Sequence, residues 1–309
     1  MDIHKKFFSK IGFNYLIFGL VSLIIQIIVI NIIGGVNHNI LSDINILAII
    51  SSICNYILPF PLFFYLMRKI EKQNLEKQSL SLKKFLLYLA ITFTLMWIGN
   101  LVGVTVTSLI GNLFQIDISN PVEYLINSSD IWLNLLLISI IGPIFEEIFF
   151  RKFLIDRTIK YGARVSIILS AVIFGFFHGN ISQLFYAFLL GGFFAYVYIK
   201  TGKIIYTIAL HIIVNLTGSV VSLFVSESVN ALTANTYGTI DLLIIILYFL
   251  IIVSALFAGI LSLLMFRKSK FNGSKTQIAL KHPLRTSLLN PGMICFILFY
   301  ILIIVYTLI

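Results

Sequence analysis

Six polar residues sit in stretches otherwise almost wholly apolar: Glu146, Glu147 and Arg151 in IIGPIFEEIFFRKFL, His178 in FGFFHGN, and His211 with Asn215 in ALHIIVNLTG. An ionisable group at the centre of a membrane helix costs on the order of 2.5–3.5 kcal/mol, so each needs a partner or a task. Glu147 and Arg151 are four residues apart, on one helix face, where an ion pair lowers the burial cost of both. Glu146 is rotated about 100° from Glu147 and points to another neighbour, with no obvious counter-charge. It is the candidate base. His211 and Asn215, also four apart, present two hydrogen-bond donors from one face to a common point. A carboxylate assisted by His178 can take a proton from water for attack on a carbonyl, and paired donors can hold the oxyanion that forms. Amide hydrolysis is the reaction class these residues suit.

The residues must also meet. A turn is expected near Tyr161 and Gly162, and residues equidistant from the turn of an antiparallel hairpin lie level. The midpoint of Glu146 and His178 is residue 162, so the two are expected to face each other roughly 20 Å above that turn. From the next turn, Thr201–Lys203, the same rule lifts His211 and Asn215 about 12 and 18 Å. The four can converge, and the inner-half position of His211 favours access to them from the cytoplasm.

The elements holding them are membrane helices. Hydrophobic residues make up 59% of 309 positions and charged residues 11%, more apolar than any water-soluble core requires. Apolar stretches near the 20 residues a bilayer needs recur from end to end. The first runs to about Ile33 with no small-residue cleavage site, and is read as a retained helix. Further spans are expected at Ile44–Met67, Phe85–Ile110, Ile131–Phe153, Val165–Phe177, Ile181–Ile199, Ile204–Phe224, Leu242–Met265 and Met293–Ile309. The fold class is thus all-α, a polytopic bundle of about nine spans forming a single membrane domain over 1–309. All 22 Lys and Arg fall in alternate loops, the last being Arg267–Arg285, while the other loops carry only acidic charge. The amino terminus is therefore cytoplasmic and the carboxyl terminus outside. The net charge of +10 is a matter of topology and implies no nucleic acid. The basic loops from Arg68 to Lys84 and Arg267 to Asn290 are expected to lie against anionic headgroups. The segment GNLFQIDISNPVEYLINSSD is expected to cap the outer face. Cys54 and Cys295 both lie in apolar stretches and suit neither a disulfide nor a thiolate metal site.

EEIFFR fits E-E-x-x-x-R, FGFFH fits F-x-x-x-H and HIIVN fits H-x-x-x-N. Three such motifs in order on successive helices resemble those of the CAAX protease and bacteriocin-processing (CPBP, or Abi) family of intramembrane glutamic endopeptidases. The resemblance covers about Ile131 to Gly218, with variable helices over 13–110 and 242–309 outside it. It implies that Glu146 is the catalytic glutamate, that His178 helps to activate water, and that His211 with Asn215 stabilises the oxyanion. Glu147, Arg151 and Phe174 are implied as supporting motif residues. Glu146, His178 and His211 could in principle ligate zinc, but no H-E-x-x-H is present and a metal leaves Asn215 without its donor role, so the metal-free reading with no cofactor is favoured.

Blander readings stand beside these. A lone membrane histidine is usually a hydrogen-bonded packing residue, and Glu146 can be a second partner of Arg151. Gly191 and Gly192 suit close helix packing, and Pro59, Pro61 and Pro143 suit kinks. The preferred function is an endopeptidase acting on peptides or small membrane-associated proteins in the bilayer, such as leader or signalling peptides, or in bacteriocin self-immunity. Richness in Ile, Asn, Lys and Phe suits an AT-rich bacterial genome, so a bacterial plasma membrane is the expected location. A non-catalytic scaffold or regulator of the same fold is the alternative, and a proton-coupled transporter a third.

Overall fold

In hydrocarbon a backbone must satisfy its own hydrogen bonds, and apolar runs of this length do so as helices. The computed structural model describes residues 2–118, 120–266 and 278–308, which contain no strand. In chain order the helices are α1 (Ile3–Val36), α2 (Ile44–Arg68), α3 (Leu82–Phe114), the short α4 (Pro121–Ser128), α5 (Ile131–Tyr161), α6 (Ala163–Phe177), α7 (Ile181–Thr201), α8 (Ile204–Thr233), α9 (Thr239–Met265), the short α10 (Pro283–Leu288) and α11 (Pro291–Tyr306). Among the described residues seven of these are long and apolar enough to cross a membrane, with α6 and α11 as two shorter apolar helices. The expected nine thus divide into seven full-length spans and two truncated ones. Helix α1 begins at Ile3, earlier than the expected 13, because Phe7 and Phe8 pack on the Tyr161 ring at centroid distances of 5.0 and 4.8 Å.

Helix α7 lies between α3 and α6. On its α6 side Gly191 allows a close approach, since a Cβ there would sit 3.1 Å from that of Phe174, tighter than an ordinary contact. Helix α1 pairs with α11, and α9 closes the bundle against α3. The turn between α5 and α6 falls at Gly162, whose φ of 98° suits glycine.

The basic segment after α2 is anchored to the helix ends, which its composition did not indicate. Residues 69–81 run without helix across the ends of α5, α7 and α8. The Gln73 N–H donates to the Asp156 carbonyl, that of Gln78 to the Thr201 carbonyl at 2.8 Å, and that of Leu80 to the Tyr206 hydroxyl at 3.0 Å. Gly202, at φ 59°, lets the Glu76 backbone pass against it. Unpaired N–H groups gain more from these fixed acceptors than from headgroups, so the segment is a strap. Of the last basic stretch, Arg267–Lys275 lies outside the described residues, while the Ile278 N–H donates to the Lys160 carbonyl at 3.0 Å and α10 buries Thr286 and Ser287.

Candidate active site

Helix α5 carries both glutamates and is not wound uniformly. It takes i→i+5 turns over Asn134–Ile141 and Ile148–Phe153, on either side of the α-helical Gly142–Glu147. Such widened turns leave carbonyls short of N–H partners, and they recur at functional sites. Neighbouring side chains fill the deficit. Pro143 has no N–H to offer the Ile138 carbonyl five residues earlier, and Asn215 Nδ2 donates to that carbonyl at 2.9 Å. Tyr15 donates to the Phe149 carbonyl at 2.6 Å, and Ser170 to that of Phe150 at 3.2 Å.

Around this scaffold the polar residues form one connected row. Tyr56, from α2, donates its hydroxyl to Glu146 Oε1 at 2.8 Å. Glu146 Oε2 is 3.6 Å from His211 Nε2, and His211 Nδ1 is 3.0 Å from Glu147 Oε1. Glu147 Oε2 is 3.1 Å from Arg151 Nε, with both side chains fully buried. Arg151 Nη1 then reaches Ser170 Oγ at 3.1 Å, and its guanidinium lies 4.4 Å from the centre of the Phe174 ring. A carboxylate can only accept, so the His211 proton belongs on Nδ1 towards Glu147. His178 terminates α6 and directs Nδ1 at the Phe174 carbonyl at 2.8 Å, which fixes its Nδ1–H tautomer and leaves Nε2 as an acceptor. Phe174 stands edge-on to both imidazoles, at 4.7 Å from His178 and 5.8 Å from His211.

Glu146, His178, His211 and Asn215 all line one cavity of about 480 Å³. Their arrangement differs in detail from that read in the sequence. The expected Glu147–Arg151 pair is present, and Glu146, for which no counter-group was evident, has both Tyr56 and His211. His211 spans the two carboxylates instead of projecting freely beside Asn215, and one amide hydrogen of Asn215 is committed to Ile138, leaving a second. Tyr56 escaped the sequence reading. Its one signal was a hydroxyl in an apolar span, where a polar tip has to find a partner.

The cavity lining also bears on the route of access, which the height of His211 in the sequence placed on the cytoplasmic side. From Glu146 its walls continue through Ser22 of α1, Ser51 of α2 and Ser129 beside α4, towards the end of the bundle opposite the basic loops. On the other side of the site Tyr15, Phe63, Phe149, Phe150 and Leu154 form a buried core. The height of His211 alone did not disclose that packing.

Among the described residues no three His, Cys, Asp or Glu side chains are grouped so as to hold a metal ion, and the trio Glu146, His178 and His211 considered for zinc does not form such a set. Residues 128–217 match the family model described as type II CAAX prenyl endopeptidase, Rce1-like. No curated protein and no solved structure matches the chain.

Proposed function

We propose that this multi-pass membrane protein, whose residues 128–217 match the model of type II CAAX prenyl endopeptidases, Rce1-like, is an intramembrane endopeptidase of the CPBP kind with Glu146 as its base. The observation that carries the reading is the half-buried carboxylate of Glu146, held by Tyr56 Oη at 2.8 Å at the floor of a cavity that His178, His211 and Asn215 also line. The matched family is one of membrane proteases, which supports peptide hydrolysis as the reaction.

In this mechanism a water between Glu146 and His178 Nε2 gives its proton to Glu146 as its oxygen attacks the scissile carbonyl. The tetrahedral oxyanion is stabilised by the uncommitted N–H of Asn215, with the His211 ring held beside it by Glu147, which Arg151 in turn pairs. Glu146 returns its proton to the leaving amine, and the C–N bond breaks. Tyr56 holds Glu146 in one rotamer throughout, and the Glu147–Arg151–Ser170 row holds His211. The whole chain acts as one membrane domain, with peptides or small membrane-associated proteins as substrates and a bacterial plasma membrane as its setting.

The test is cleavage of a labelled peptide library by the purified full chain in detergent, with and without a strong chelator. Activity lost in Glu146→Gln and His178→Ala but kept under chelation supports the reading. Activity abolished by the chelator and restored by zinc replaces it with a metal mechanism. A phenotype kept in full by both variants leaves a scaffold.

A further inference from the structure

The two truncated helices lie on the same side of the site. At 1.5 Å per residue, the 15 residues of α6 and 16 of α11 span about 22 and 24 Å, less than the roughly 30 Å of a hydrocarbon core. Both start at the basic-loop end, so both stop short of the opposite face. Their far ends meet there, with Thr307 Oγ1 3.4 Å from the Gly179 carbonyl. The turn carrying His178 is thereby sunk into the bilayer, while α1 and α3, at 34 and 33 residues, rise past it. The depression above this turn is the Glu146 cavity, lined by Tyr300 and Ile303 of α11 as well as by Ser51 and Ser129.

Polar groups in its wall point to water. Ser22 Oγ is buried with no hydrogen-bond partner, and Asn55, in the middle of α2, is exposed. Either would be costly against lipid or vacuum and is satisfied by a wet channel. The basic-loop end is shut by contrast. The strap of residues 69–81 crosses it, Lys203 Nζ ties that strap at Ser79 Oγ over 2.8 Å, and α10 packs against α6.

Building on the peptidase reading, we infer that the site is loaded from the face opposite the basic loops, which the positive-inside rule makes the extracytoplasmic face. Its substrates are then polypeptide segments that have already crossed, or whose far end emerges on that side: exported peptides and the outer ends of membrane-inserted chains, entering extended between α2, α4 and α11. Cytosolic proteins and their carboxyl termini are outside its reach.

The experiment is cysteine labelling of the full chain in intact cells with a membrane-impermeant maleimide, in a Cys54→Ala, Cys295→Ala background. Ser51→Cys and Ser129→Cys report on the cavity, and Lys77→Cys on the strap side. The expected result is labelling of both cavity cysteines in intact cells, with Lys77→Cys labelled only after permeabilisation. Cavity cysteines that react only after permeabilisation, or not at all, overturn the inference. The readout needs no catalysis, so loss of the peptidase reading and loss of the access route are told apart.

Discussion

The hydroxyl of Tyr56 donates to Glu146 Oε1 at 2.8 Å, joining a helix outside the matched segment 128–217 to the carboxylate at the floor of the cavity. The helices before the motif-bearing core are therefore part of the site's geometry as well as its lipid boundary. A hydrogen bond to a charged group contributes about 1.5–3 kcal/mol, equivalent to about 10- to 100-fold in rate. Tyr56→Phe is expected to lower kcat by that factor with little change in KM, because the ring stays stacked on Phe145 at 5.6 Å and only the donor is lost. Steady-state kinetics check it; a raised KM at constant kcat would assign Tyr56 to substrate binding instead.

The buried pair between Glu147 and Arg151 gives a stability prediction. Removing one partner strands a charge with no access to water, at a cost of about 3–5 kcal/mol. Arg151→Ala should sharply lower the thermal midpoint in detergent, and Glu147→Leu combined with Arg151→Met should recover most of it. Activity should not return with stability, because His211 no longer has an acceptor at Nδ1.

Asn215 has a structural task that can be separated from a chemical one. Its amide satisfies the carbonyl that Pro143 leaves unpaired, and an orphaned buried carbonyl costs about 1–3 kcal/mol. Asn215→Ala should lose both stability and cleavage. Adding Pro143→Ala supplies a backbone N–H at 143 and should restore the melting temperature alone. Restored cleavage in that double variant would limit Asn215 to holding α5.

The strap predicts a local effect. Gly202→Val places a branched side chain at φ 59° and against the Glu76 backbone, so residues 69–81 should detach while the bundle stays folded. Limited proteolysis should then cut near Lys72 and Lys77 many-fold faster than in the parent chain.

Much of this was legible beforehand, for reasons that differ by residue. Spans are written in composition, and the Glu147–Arg151 pair in a spacing of four on one face. Glu146 and His178 line one cavity, in keeping with the level that helix rise and a glycine turn led one to expect, although α5 is wound more loosely over Ile148–Phe153 between Glu146 and that turn. What escaped was whatever depends on contacts distant in sequence. Tyr56 stands 90 residues from Glu146, and nothing local to it signals that partner. The widened turns of α5 are hinted at only by Pro143, and the role of Asn215 at Ile138 appears once both helices are in place. The strap carries three apolar side chains, Ile70, Leu75 and Leu80, among 13 residues and reads as a solvated loop, because its anchors are backbone N–H groups that composition does not report.

Whether Glu146 is the base of peptide hydrolysis is decided by comparing the purified full chain with Glu146→Gln on a labelled peptide library. Defined cleavage by the parent chain is expected, with a loss of about 10²-fold or more in the variant, which keeps the shape of the side chain but not its basicity. Cleavage by Glu146→Gln at the parent rate and at the same bonds would contradict that role.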